Sequence, residues 1–118
     1  MARKLEQWLL ENLPEDGIPY WDFSQTYYKD ASAAAIIACV LLKLHGLRGY
    51  PDDDPALAMA ERILRTLASP EYLAEPHTNG GFLLKHSVGN LPGHSEVDVP
   101  LTYADYYFLE ALTQFPND

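Results

Sequence analysis

Apolar residues recur at helical spacing in four stretches of the chain. In the first stretch they fall at i, i+3, i+4 and i+8, with Glu6 and Glu11 on the opposite face. These apolar positions are Leu5, Trp8, Leu9 and Leu13. The predicted helices cover residues 2–13, 32–45, 55–68 and 103–114. One short run near residues 81–88 has strand-like character, so the sequence predicts an all-α fold, as a single helical domain or fragment over residues 1–118.

The second predicted helix is apolar nearly all round. Small side chains occupy one side of it and large aliphatic side chains another, and Gly46 stands where a C-terminal capping glycine belongs. A helix without a polar face is buried on most sides, so we expect this helix to be the most buried of the four. The residues expected in the core are Ala33, Ile36, Ile37, Val40, Leu41 and Leu44.

Capping signals support three of the helix starts. Asp30 or Ser32 can cap the second helix, and Asp54 followed by proline is a clear start for the third. Thr102 and Asp105 are spaced like a capping box at the start of the last helix. The acidic run at 52–54 lacks calcium-loop spacing, so it is interpreted as a solvated loop with a helix cap.

Composition excludes several classes of function. Eight Lys and Arg against 17 Asp and Glu give a net charge of −9, which is unsuited to nucleic acid or to anionic membranes. No apolar run reaches the roughly 20 residues that a membrane span requires, so we expect a soluble, cytoplasmic protein.

The one cysteine, Cys39, is expected to be a buried small side chain, and His45 is expected to be a surface residue at a helix end. No pattern for a metal or a cofactor is present.

Two long loops carry the candidate chemistry. The first is rich in aromatic residues and includes Trp21, which could stack on a sugar face or could simply pack between helices. The second covers residues 86–98, and its polar side chains could hold a ligand or could bond only to one another. The candidate ligand contacts are Trp21, His86, Ser87, Asn90 and Ser95. We expect both loops at the same end of the helices.

Five motifs in order resemble a known family. They are GIPYWDF from Gly17, KDASAAAI from Lys29, GFLLKHSVGN from Gly81, SEVDV from Ser95 and YADYYFLEAL from Tyr103. In this order and spacing they resemble the C-terminal third of the unsaturated glucuronyl hydrolases, glycoside hydrolase family 88. The resemblance extends from about Gly17 to Leu112 and so covers nearly the whole chain.

The resemblance implies an (α/α)6 barrel, a ring of six helical hairpins with the cleft at one end. It implies removal of an unsaturated uronic acid from lyase-generated oligosaccharides: an aspartic acid protonates the enol ether, water adds at C5, and the hemiketal opens. It places the family's catalytic aspartates outside this chain, so no residue here is assigned as catalytic. The loop at 86–98 corresponds to the family's substrate-closing loop and contains no Lys or Arg.

Two functional hypotheses follow. In the first, the chain is the C-terminal part of such a hydrolase, inactive alone, with the unsaturated oligosaccharide as ligand once the missing N-terminal part completes the barrel. In the second, it is a non-catalytic helical module that binds carbohydrate or a protein partner, or associates with itself.

Overall fold

The computed structural model describes residues 2–20, 29–49, 51–87 and 102–115. Their four α-helices are α1 (Ala2–Asn12), α2 (Ala31–Leu47), α3 (Pro55–Leu67) and α4 (Thr102–Gln114), and a short 3-10 helix covers Asn79–Gly81. The predicted all-α fold is confirmed for this part of the chain, and every predicted helix boundary lies within two residues of the observed one. The extended backbone forms isolated bridges, Tyr20 with Lys29 and Leu73 with Leu84, rather than a sheet within the described ranges. None of the helices that the structure describes is long and apolar enough to cross a membrane.

Helix α2 is the centre of the fold and packs against both α3 and α4. Its buried face is the one with the small side chains, because these allow the neighbouring helices to approach closely. The fully buried apolar residues of α2 include Ala31, Ala34, Ala35, Ala38 and Leu41. The prediction that the large aliphatic residues form the core was therefore mostly wrong. Leu41 is buried as expected, but Ile36 is 37% exposed and Val40 is 42% exposed. Ala33, Ile37 and Leu44 are half-buried.

Helix α1 is also turned differently from its predicted orientation. Leu5 is 59% exposed, Trp8 is 44% exposed, and the buried position is Glu6. Both carboxylate oxygens of Glu6 accept hydrogen bonds from the guanidinium of Arg48, at 2.9 and 2.5 Å. This bidentate ion pair helps to fix the rotation of α1. Leu5 and Trp8 are left exposed, whereas Leu10 and Leu13 still pack against the core.

The helix caps mostly agree with the sequence signals. Asp30 and Asp54 cap α2 and α3, each accepting the backbone N–H two residues further on. At the other end, α2 continues past the predicted stop at Gly46. Arg48 is the C-cap residue, and Gly49 adopts a left-handed φ of 84°. Gly49 is therefore the terminating glycine, because a left-handed φ carries no steric penalty only in glycine.

The directions of the helices follow from contacts at their ends. Asp54 at the start of α3 bonds to His45 in the last turn of α2, so α2 and α3 are antiparallel. Residues 83–86 touch the first turns of both α2 and α4, through Ala31 and Asp105. Farther along, the Cys39 thiol donates to the carbonyl of Tyr107 at 3.1 Å. Helices α2 and α4 therefore run side by side in the same direction.

Candidate functional site

Two chain segments converge on the first turn of α2. The backbone N–H of Asp30 donates to the carbonyl of Pro19 at 2.8 Å, and that of Ala31 donates to the carbonyl of His86 at 3.0 Å. Tyr20, which leads into the first loop, and His86 and Ser87, which begin the second, therefore lie at the same end of the helices. This geometry agrees with the expected shared end. Three predicted ligand contacts, Trp21, Asn90 and Ser95, lie outside the described residues, so their position stays a prediction.

The segment that leads to the first loop is anchored by Asp16. One carboxylate oxygen accepts a hydrogen bond from the backbone N–H of Ile18 at 2.9 Å, and the other accepts one from Lys29 Nζ at 2.7 Å. The backbone carbonyl of Asp16 accepts the hydroxyl of Thr66 in α3 at 2.8 Å. At Gly17, whose φ is 82°, an added Cβ would lie 2.8 Å from Ile63 Cγ1. The segment thus presses directly on α3, which fixes where the aromatic loop begins.

Lys29 also faces the aromatic ring of Tyr20. Its Nζ atom lies 5.0 Å from the ring centroid, within the range of a cation–π contact. Lys29 is therefore shared between a carboxylate and an aromatic ring, and it closes the base of the first loop.

Asp30 has a structural use at this end. Its buried carboxylate accepts the backbone N–H of Ser32 at 3.0 Å and the Ser32 hydroxyl at 2.5 Å. Of the two residues predicted to cap α2, Asp30 is the one that does so. The Asp30 carboxylate is therefore committed to the N-terminus of α2.

His86 is held in a conformation that is uncommon for a residue with a side chain. Its φ is 63°, and its half-buried ring meets the ring of Tyr72 edge to face, with centroids 5.7 Å apart and planes at 87°. A left-handed φ in a non-glycine residue carries strain, which such sites offset by surrounding contacts. The bond from Ala31 to the His86 carbonyl is one of these contacts.

Ser87 is fully buried, and its hydroxyl has no hydrogen-bond partner among the residues that the structure describes. Buried hydroxyl groups are normally bonded, so this one is unusual. As placed here, Ser87 cannot reach a ligand at the surface. Its role as a ligand contact stays a prediction. That role would require a local rearrangement that exposes the hydroxyl, or a neighbouring group that links it to the ligand.

Asp105 was expected to cap α4, and the structure gives it a different use. Its two carboxylate oxygens accept the backbone N–H groups of Leu83 and Leu84, at 2.8 and 3.0 Å. The carboxylate therefore holds the segment that leads to His86 and Ser87 against the first turn of α4. This contact leaves no pattern in the sequence, because the partners are more than 20 positions apart and the donors are backbone N–H groups, which every residue except proline has.

A buried ionic cluster lies at the opposite end of the helices. His45 Nδ1 and Arg48 Nε lie 3.0 and 3.3 Å from the same carboxylate oxygen of Asp54, and Arg48 also binds Glu6. His45 is only 2% exposed, so the prediction of a surface histidine was wrong. Sequence spacing placed it correctly in the last turn of α2, but the carboxylate that draws it inward belongs to α3.

Burial alone would raise the pKa of Asp54, but its bonds outweigh this effect. The hydrogen bonds from His45 and from the backbone N–H of Ala56, with the positive charge of Arg48, hold the pKa below its usual value. Asp52 and Asp53 are exposed, which agrees with the prediction of a solvated loop that ends in a helix cap. Over the described residues, no three His, Cys, Asp or Glu side chains come together in a way that could hold a metal ion.

Cys39 is buried in α2, as the sequence predicts. Burial raises the pKa of its thiol, and the charge of Glu110 adds to the rise, while Lys43 opposes it. A thiol with a raised pKa is a poor nucleophile, so the environment favours packing over catalysis.

Comparisons with known proteins agree with the resemblance read from the motifs. The chain is 46% identical over 111 residues to an unsaturated glucuronyl hydrolase of Formosa agariphila, covering 91% of this chain and 27% of that protein. It is 32% identical over 126 residues to an unsaturated chondroitin disaccharide hydrolase of Streptococcus pyogenes, covering 100% of this chain and 31% of that protein. No family model matches the chain.

Solved structures give the same result. A crystal structure of an unsaturated glucuronyl hydrolase specific for heparin superposes with a TM-score of 0.88 and 45% identity, over 97% of this chain and 32% of that one. The unsaturated glucuronyl hydrolase of Bacillus sp. GL1 gives a TM-score of 0.82 and 28% identity, over 95% of this chain and 31% of that one. The chain thus spans under a third of the length of the relatives it matches, and its helices correspond to part of their (α/α)6 barrel.

Proposed function

Since the chain belongs to the unsaturated glucuronyl hydrolases, glycoside hydrolase family 88, we propose that it forms the C-terminal hairpins of their barrel. The complete barrel would remove an unsaturated uronic acid from oligosaccharides by hydration of the enol ether. The observation that carries the proposal is the superposition on the heparin-specific enzyme, with a TM-score of 0.88 at 45% identity. At that level of similarity this part of the ring keeps the backbone geometry of a working enzyme.

The proposed contribution of this chain is the cleft wall, without the catalytic acid. Protonation of an enol ether needs a carboxylic acid that stays protonated near neutral pH. Among the described residues, the carboxylates of Asp30 and Asp105 near the candidate loops both accept backbone N–H groups and so have structural uses. The resemblance places the family's catalytic aspartates outside this chain, which spans 27% of the length of its Formosa agariphila relative. The chain alone is therefore expected to be inactive.

In the completed barrel, the proposed substrate contacts are Trp21, His86, Ser87, Asn90 and Ser95. The support for this assignment is that Pro19, just before the first loop, and His86, the first residue of the second, both bond to the start of α2, through the backbone N–H groups of Asp30 and Ala31. The proposed ligand is an unsaturated uronyl oligosaccharide. The absence of Lys and Arg from residues 86–98 favours a sugar without a sulfate at that loop. A cytoplasmic location is also part of the proposal, and cell fractionation tests it.

A chimera tests the function directly. In the Formosa agariphila enzyme, this chain replaces the segment that it matches, and loss of enol-ether absorbance is followed with an unsaturated disaccharide. We expect turnover by the chimera and none by the isolated chain. A folded chimera without activity would contradict the proposal, as would robust turnover by the chain alone. Folding of the chimera is checked by a cooperative thermal transition, with the intact enzyme as reference.

A further inference from the structure

The segment of residues 82–86 leads into the second loop and is held on one side by backbone pairing. The carbonyl of Leu83 accepts a hydrogen bond from the N–H of Ala74, and the N–H of Lys85 donates to the carbonyl of Tyr72, both at 2.8 Å. These are the bonds of a short antiparallel pair. The remaining backbone groups of the segment also need partners, because unpaired polar groups are costly to bury.

Two side chains supply the partners that a second strand would otherwise supply. Asp105 accepts the N–H groups of Leu83 and Leu84. The side-chain nitrogen of Asn79 donates to the carbonyls of Phe82 and Leu84, at 3.3 and 3.1 Å. Both acceptors are carbonyl oxygens, so only the nitrogen end of the amide can face them. With the bond from the N–H of Phe82 to the carbonyl of Asn79, each backbone polar group of Phe82, Leu83 and Leu84 has a partner.

Asparagine meets both requirements of position 79. Its φ is 57°, in the left-handed region that asparagine and glycine adopt more readily than other residues. Glycine would suit this backbone but has no side-chain donor, and aspartate would turn acceptor oxygens toward two carbonyls. The half-buried Asn79 therefore combines a left-handed backbone with two N–H donors.

The far end of the segment reaches the first turn of α2. There the carbonyl of His86 accepts the N–H of Ala31 at 3.0 Å, and His86 itself has the strained φ of 63°. A strained residue keeps its conformation only where its surroundings hold it. Leu84, which both Asn79 and Asp105 bind, lies directly before Lys85 and His86, so a shift at Leu84 would move His86.

We propose that Asn79 is a positioning residue for substrate binding. Together with Asp105 it holds the 82–86 segment, and through that segment it places His86 and the start of the second loop against α2. This proposal rests on the proposed function, because the substrate contacts that it positions are those proposed for the second loop. It adds a residue that acts on binding of the unsaturated oligosaccharide and takes no part in the chemical step.

Kinetics of the chimera with the Formosa agariphila enzyme test this role. Asn79→Gly keeps the left-handed backbone and removes both donors, while Asn79→Asp keeps the shape and places acceptors against the carbonyls. Since lost binding raises KM without lowering kcat, KM for the unsaturated disaccharide should rise at least about fivefold in both variants, with kcat within about twofold.

His77→Gly is the matched control. His77 is exposed and has a left-handed φ of 68° in the same turn, so this variant introduces the same residue in the same kind of backbone. It should leave both KM and kcat unchanged. Thermal melting of each chimera checks that it is folded.

Amide exchange tests the hold on the segment in the 118-residue chain itself, without any activity. The N–H of Ala31 reports on the far end of the segment because its partner is the carbonyl of His86. Asn79→Gly should accelerate exchange at Ala31 and Lys85 by about fivefold or more, and His77→Gly should accelerate neither. The amide of Ala38, in the middle of α2, is the internal reference.

Unchanged exchange at Ala31 and Lys85 in Asn79→Gly would overturn the proposal, and so would equal effects of His77→Gly. A fall in kcat at unchanged KM would also overturn it, because Asn79 would then act on the chemical step. A folded chimera of the original sequence without turnover contradicts the proposed function instead. In that case the exchange rates still decide whether Asn79 holds the segment, so the two failures are distinguishable.

Discussion

The imidazole of His45 and the carboxylate of Asp54 lie 3.0 Å apart, and both side chains are only 3% exposed. This contact joins the last turn of α2 to the N-cap of α3 and so closes the antiparallel hairpin. The same carboxylate oxygen lies 3.3 Å from Arg48, which in turn holds α1 through Glu6. One buried carboxylate therefore connects three helices at the end of the molecule remote from the candidate loops.

Asp54 should make the chain sensitive to acid. Its pKa is lowered in the folded state, so its contribution to stability is present above the unfolded pKa of about 3.9 and is lost as the pH falls through the lower folded value. Asp54→Asn should flatten the dependence of unfolding free energy on pH below about pH 4. It should also cost about 2–4 kcal/mol at neutral pH, from the weakened cap and the lost ionic bonds.

Urea titrations at a series of pH values measure this effect. Asp53→Asn serves as the control, because Asp53 is an exposed neighbour in the same loop. Identical acid limbs for Asp54→Asn and the original chain would show that another group controls acid unfolding.

Local signals in the sequence were sufficient for the helices themselves. A capping residue lies within a few positions of the helix end that it sets, so it can be recognised from the local sequence. Asp30, Asp54 and Pro55 therefore mark their helix starts correctly. Which face of α2 is buried could not be derived in this way. An apolar helix offers several burial faces of similar hydrophobicity, and the neighbours that choose one are remote in sequence.

The same limit applies to the candidate site. Asp105 and the backbone of Leu83 and Leu84 meet only in the folded chain, and so do His45 and Asp54. Long-range partners of this kind leave no local pattern. The convergence of Pro19 and His86 on α2 was expected only as a shared end of two loops, while the hydrogen bonds that produce it required the structure.

Neighbouring positions on α2 should respond very differently to truncation. Leu41 is fully buried, whereas Val40 is 42% exposed. Leu41→Ala should destabilise the chain by about 2–5 kcal/mol, through lost burial and the cavity left behind. Val40→Ala should change stability by under about 0.5 kcal/mol. Chemical denaturation of both variants gives the comparison, and equal losses would contradict the observed orientation of α2.

Asp105 should keep the backbone at Leu83 and Leu84, just before the second loop, in its folded conformation. Replacing it by Asn leaves one acceptor oxygen and turns an amide NH2 group toward an N–H donor. Since hydrogen bonds to charged groups contribute about 1.5–3 kcal/mol, amide exchange at Leu83 and Leu84 should accelerate by about tenfold or more. Exchange in α1, which Asp105 does not contact, is the internal reference. Unchanged protection of both amides would show that other contacts hold the segment.

The Cys39 thiol should be almost unreactive in the folded chain. Burial raises its pKa and so lowers the fraction of thiolate, the form that attacks a disulfide reagent. We expect labelling to be at least about tenfold slower than in denaturant, and to follow the opening of the α2–α4 contact. Rapid labelling under native conditions would mean that Cys39 and the carbonyl of Tyr107 separate readily.

The hydroxyl of Ser87, which has no partner among the residues that the structure describes, can be tested by mutation. Burying a hydroxyl without a partner costs about 1–3 kcal/mol in proteins, so Ser87→Ala should leave the isolated chain as stable or more stable by about 1 kcal/mol. Ser32→Ala is the matched control, because that buried hydroxyl does bond, to Asp30 at 2.5 Å. It should lose about 1 kcal/mol.

Thermal and urea unfolding of the two variants separate the cases: a clear loss for Ser87→Ala would show that its hydroxyl is already bonded in the free chain. A gain would mean that the hydroxyl is kept at a cost to stability. This pattern is expected where a polar group awaits a ligand or a neighbouring hairpin.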